Sequence, residues 1–159
     1  MATTIGVYMR MCLVVSLLIL LGTEMLPAQK NFSAEYLSIE ELYKDCHAPG
    51  VCGKKMDCEG QVARVKGYID YDNVFDKGNY PQLPYEKFKI GDAKGKSLEV
   101  WALSDDNRKI FQEIYCNKAF PEKMAFIKGT LTGFDMPIMG TCRRGIAVNI
   151  KEANDISFR

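Results

Sequence analysis

This chain lacks a charge excess of either sign: 21 Lys and Arg stand against 20 Asp and Glu, a net charge of +1. A general polyanion binder usually carries a larger basic surplus. Histidine is almost missing, with His47 alone. No Cys-x-x-Cys-His occurs, which excludes covalent haem attachment of that kind. No apolar run approaches the ~20 residues that span a bilayer. Internal repeats and low-complexity linkers are also absent, and no convincing catalytic motif is present.

One apolar run does exist. Met11–Leu21 has the length of a signal-peptide core, preceded by a single cation, Arg10, and followed by Leu26-Pro27-Ala28, whose small last residue suits cleavage before Gln29. The expectation is a signal peptide over residues 1–28 and a periplasmic or secreted product without a stable membrane span; a retained anchor is the alternative. Cys12 does not mark a lipoprotein, because it opens the apolar core instead of following it. Met9 would make a more ordinary initiator than Met1. Removing 28 of the 159 residues leaves 131, enough for one domain with one core, and the charge stays at +1 because Arg10 and Glu24 leave together.

Residues 29–60 read as a flexible lead, a short helix and a cysteine-rich segment. Ser38-Ile-Glu-Glu41 matches a capping box, in which serine and glutamate satisfy free amides at a helix start. Leu37, Leu42 and Tyr43 are available for packing. From Gln61 the apolar period changes to two, with Val65, Gly67, Ile69 and Tyr71 on one face. Gly67 sits where a strand must bend sharply to pair with both halves of a barrel. A loop over Asp72–Pro84 follows, then strands over Tyr85–Ile90 and Ser97–Leu103. Ser104-Asp-Asp106 is the expected cap and first turn of a helix to about Asn117, bearing Ile110, Phe111, Ile114 and Tyr115 at helical spacing. Strands over Met124–Phe134 and Gly145–Ile150 complete the pattern, with Ile156 and Phe158 packing beneath.

This order, β-β-β-α-β-β over residues 61–159, is that of the five-stranded Greek-key barrel called the OB-fold, an all-β domain with one or two helices. Cys58-Glu-Gly-Gln-Val-Ala-Arg-Val-Lys-Gly-Tyr-Ile-Asp70 together with Ala125-Phe-Ile-Lys-Gly-Thr-Leu-Thr-Gly133 resembles the strand pair of exported bacterial OB-fold domains, including those described as similar to tRNA anticodon-binding domains. The resemblance covers about a hundred residues. Its motifs are folding motifs, and it carries no catalytic residues over.

Five cysteines remain in the mature chain: Cys46, Cys52, Cys58, Cys116 and Cys142. In an oxidising compartment they favour disulfides, and the odd number leaves a thiol over. A bridge among Cys46, Cys52 and Cys58 is favoured because that segment has little apolar content and gains most from a staple; which pair forms it stays open. A zinc site of these thiolates with His47 is disfavoured, since adjacent Cys46 and His47 point apart in extended chain. A nucleophilic Cys-His pair is disfavoured because adjacency in sequence does not make hydrogen-bond geometry. No metal and no cofactor are expected.

The functional candidate is spatial. OB-folds bind across their second and third strands and between the loops joining strands one to two and four to five, here 72–84 and Asp135–Arg144. Tyr68, Lys89, Trp101, Arg143 and Arg144 are expected to share that face, where aromatics stack and cations neutralise a nucleic acid, an anionic glycan or a protein ligand. In the competing reading Met136, Ile138 and Met139 cap the barrel mouth and the lysines are merely solvated. A secreted metal-dependent hydrolase of phosphodiesters or glycans, with Asp70, Asp72 and Asp76 around a cation, is the alternative to a binding or adaptor protein without catalysis.

Overall fold

The computed structural model describes residue 32 and residues 34–47, 52–104 and 107–159. The expected signal segment 1–28 and the first-turn acids Asp105 and Asp106 lie outside them.

The capping box forms as the sequence predicts. Ser38 Oγ accepts from the Glu41 amide at 3.3 Å, and Glu41 returns the bond to the Ser38 amide at 2.7 Å. Ahead of it the two-residue strand β1 (Leu37–Ser38) runs parallel to β2 (Val62–Phe75), and helix α1 (Ile39–Cys46) buries Ile39, Leu42 and Cys46.

β2 has the predicted two-residue period, with Ala63, Val65 and Ile69 buried. It pairs with β5 (Met124–Ile138) from Val62 to Tyr68, then with β3 (Glu86–Gly91) from Tyr68 to Phe75, across an irregularity between Asp70 and Val74. The handover is possible because Gly67 has no side chain: a Cβ there would stand 2.9 Å from the Gly91 carbonyl oxygen. β3 pairs with β4 (Ser97–Ala102), which runs parallel to β6 (Thr141–Ile150). β6 is antiparallel to β5, so pairing runs β2 to β3, β4, β6, β5 and back to β2. With the edge strand β7 (Ile156–Phe158) on β5, the described residues form a seven-stranded mixed sheet with two α-helices and are mostly β.

Phe88, Ile90, Leu98, Val100, Ile127, Leu131, Val148 and Ile150 fill the interior, and helix α2 (Arg108–Cys116) adds Ile110, Phe111 and Ile114. Among the described residues no helix is long and apolar enough to cross a membrane.

Three boundaries differ from expectation. The helix cap is Asn107, not Ser104; its buried side chain accepts from the Ser104 amide and donates to Glu86 and to the Ala102 carbonyl, so it ties α2 to β3 and β4. β2 continues to Phe75, four residues into the expected loop. The segment Asp135–Arg144 is not a loop either: unbroken register carries β5 and β6 to Ile138 opposite Thr141. Met139 and Gly140, at φ +43° and +80°, make the two-residue connection that matches strand twist. The ribbon does not fold back over the interior, and Met139 is fully exposed.

Cysteine pairing ties this ribbon to the lead. Cys46 joins Cys58 and Cys52 joins Cys142, while Cys116 is free and exposed. The second bridge links positions 90 apart in sequence, a partnership that spacing alone does not reveal.

Candidate functional site

Cross-strand partners project to the same side of a sheet, so register decides which candidates share a face. Trp101 faces Lys87 on β3 and Asn149 on β6; Lys89 faces Asp70 and Glu99; Tyr68 faces Gly91; Arg143 faces Met136. These four lie on the outer side. They are spread out, however: Arg143 stands six residues along β6 from the partner of Trp101, roughly 20 Å away.

Arg144 does not join them. It has the opposite parity on β6, and its guanidinium is spanned by Glu59 at 2.9 Å and Asp135 at 2.8 Å. Its side chain is only 13% exposed. Gly133 makes room for it, since a Cβ there would meet the guanidinium at 2.6–2.8 Å. The hydrogen bond with Asp135 leads in raising the Arg144 pKa above its ordinary value, and the same bond lowers that of Asp135. Burial works against ionised Glu59, but the Met56 and Gly133 amides and Arg144 outweigh it and hold the carboxyl below its usual range. Arg144 is thus a structural cross-link between the lead and the ribbon. Isolated sequence could not show this, because Glu59 lies 85 residues away.

The outer face is organised around Trp101, the single tryptophan of the chain. Its indole N–H donates to Glu99 Oε2 at 2.8 Å, and Glu99 also pairs with Lys87 at 3.2 Å. Tyr85 and Phe134 flank the indole with ring centroids at 4.8 and 5.2 Å. Gly145 is what admits Phe134, because a Cβ there would lie 2.7 Å from its ring. Ala147, in register with Glu99 and Thr132, is fully buried although it lies outside the interior cluster, as expected beneath this row of rings. A second ring pair, Phe75 and Tyr80 at 5.1 Å, stands on the far side of Lys87. Lys89 makes no ion pair among the described residues and keeps its charge available.

Sequence reasoning missed Tyr85 and Phe134, whose part depends on cross-strand register. It also missed Asn149, which donates to Thr132 at 2.6 Å while its Oδ1 is buried without a donor. Thr130 and Thr132 line an open hollow of about 410 Å³ with Lys55, Glu59 and Arg144.

Two of the three acidic candidates, Asp70 and Asp76, are engaged in hydrogen bonds. Asp70 accepts from the Asp72 amide and Asn73, and Asp76 from Tyr115, the Asn79 amide and the Asn79 side chain. Burial disfavours the Asp76 charge, yet those bonds prevail and lower its pKa, while burial and the Asp76 bond push Tyr115 up to about 12. Among the described residues no three His, Cys, Asp or Glu side chains converge to hold a metal ion. His47 is exposed and 3.9 Å from Asp57, and the sulfurs beside it are committed to bridges.

No protein-family model matches this chain, and no curated protein matches it.

Proposed function

We propose that this is an exported, single-domain OB-fold protein that works by binding or as an adaptor, without catalysis of its own, and that its ligand lies across β3, β4 and β6. The pairing cycle, its one parallel contact between β4 and β6, and a helix between β4 and β5 support the OB-fold reading. The two bridges support export. The observation that carries the binding face is the half-exposed row Tyr85, Trp101 and Phe134, with Lys89 free beside it. Rings with nearby cations stack on bases or sugar faces and attract negative charge.

Because Trp101 is unique, its emission reads this face directly. Titration with oligothymidylate, a sulfated glycan and copurified proteins should give saturable quenching with one of them. Stacking on one ring is worth about 1–3 kcal/mol, so Trp101→Ala, followed by calorimetry, should weaken binding by roughly tenfold or more. Unchanged affinity in both Trp101→Ala and Phe134→Ala would move the site elsewhere, and metal-dependent turnover of either polymer would replace binding with hydrolysis.

A further inference from the structure

The ribbon tip combines features that folding alone does not favour. Its two-residue turn requires left-handed backbone at both positions, which Asn-Gly satisfies cheaply. Here the first position is Met139, at φ +43° and fully exposed, beside Ile138 at 43% exposure and exposed Pro137. The site is a convex apolar point, and a disulfide fixes its base through Cys142 and Cys52.

The charges behind it are mostly basic. Arg143, Lys54 and Lys55 are exposed and make no ion pair among the described residues. The carboxylates Glu59 and Asp135 share Arg144, and exposed Asp57 belongs to the same segment as the two lysines. Arg143, Lys54, Lys55 and Arg144 against Glu59, Asp135 and Asp57 leave the ribbon base at about +1. Arg143 stands three to four residues behind the turn, about 10–13 Å at the rise of a strand. Apolar faces of interfacial segments sit roughly 5–10 Å into the headgroup boundary. A tip inserted to that depth brings Arg143 level with lipid phosphates.

We infer that the β5–β6 tip is a reversible contact for an anionic bilayer surface, with Ile138 and Met139 inserting and Arg143, Lys54 and Lys55 engaging the headgroups. This surface is separate from the aromatic face and does not depend on it. A protein pocket or a second copy of the chain are the other occupants of a convex apolar point, and the charge placement favours lipid.

The test uses the full chain as recovered from its host, with vesicles of phosphatidylcholine alone and of phosphatidylcholine mixed with phosphatidylglycerol. Sedimentation should show preference for the anionic vesicles, lost at high salt. Met139→Asn with Ile138→Asn keeps a turn-compatible residue and should reduce that binding about tenfold or more. A tip-local readout separates insertion from any contribution of the N-terminal segment: the added tryptophan emission in Met139→Trp should be quenched by brominated acyl chains, while wild-type Trp101 emission should not. Absence of that quenching, or equal binding by the double asparagine variant, overturns the proposal. Concentration-dependent dimerisation abolished by the same variant would assign the tip to a second copy and overturn it as well.

Discussion

The interior enclosed by β2 to β6 and the ribbon with its cysteine-rich partner are stabilised in different ways. The interior is held by apolar side chains at alternating positions, with Phe88, Ile90, Val100, Leu131 and Val148 contributing from four different strands. The ribbon has few such residues beyond Gly145. It is held by Cys52–Cys142, by Arg144 between Glu59 and Asp135, and by backbone bonds from Gly53 and Gly133 to the same carboxylates. Packing specifies the first region, and point connections specify the second. Point connections leave surface free, as the exposed Ile138, Met139 and Arg143 of the ribbon show.

The interior is most sensitive to loss of side-chain mass. Phe88→Ala should cost about 3–5 kcal/mol in denaturant unfolding, because the fully buried ring leaves a cavity. Cys52→Ser with Cys142→Ser should cost less, about 2–4 kcal/mol. Hydrogen exchange should show the loss concentrated in the ribbon and the 52–60 segment; uniform loss across β3 and β4 would mean that the two regions are not distinct.

Arg143 and Arg144 sharpen the contrast at adjacent positions. Arg144→Ala removes the cation shared by Glu59 and Asp135 and should cost roughly 1–2 kcal/mol, whereas exposed Arg143→Ala should cost under about 0.5 kcal/mol. Equal thermal shifts would contradict the cross-link. Arg143 and Arg144 therefore do not share the one face expected of them: adjacent strand residues face opposite ways, and the partners that claim Arg144 are remote in sequence.

A smaller effect tests the clasp between the β2–β3 connection and α2. Asp76 has its pKa lowered on folding, so its contribution is present above the unfolded carboxyl value and is lost as pH falls through the folded one. Tyr115 is raised to about 12, so its contribution is present below the ordinary phenol value near 10 and fades as pH climbs to 12. Tyr115→Phe should therefore flatten both the acid and the alkaline limb of stability against pH, with about 1 kcal/mol lost at neutral pH. Unchanged limbs would show that the clasp does not form in solution.

What was legible in the sequence follows the same division. Alternation located the strands around Val65, Phe88, Val100, Ile127 and Val148, and the capping box located α1, because each is a local rule. Ser104 reads as the helix cap in sequence, but buried Asn107 takes that place because it answers to Glu86 and Ala102, which are tertiary partners. The ribbon reads as a loop because Pro137 and Met139-Gly140 are poor strand signals taken alone, and only pairing with Thr141–Arg144 makes them a hairpin. On the outer face Trp101, Lys89 and Tyr68 were placed by parity, but Tyr85 and Phe134 come into play only through register.

The central claim is that the outer row around Trp101, and not the cross-link at Arg144, receives the ligand. Amide and indole chemical-shift mapping during titration with oligothymidylate and with a sulfated glycan tests it most directly. Whichever probe binds should shift the Trp101 indole, Lys89 and Phe134 while Arg144 and Glu59 stay in place; saturable binding that moves Arg144 and Glu59 and leaves the Trp101 indole unshifted would place the ligand at the cross-link instead.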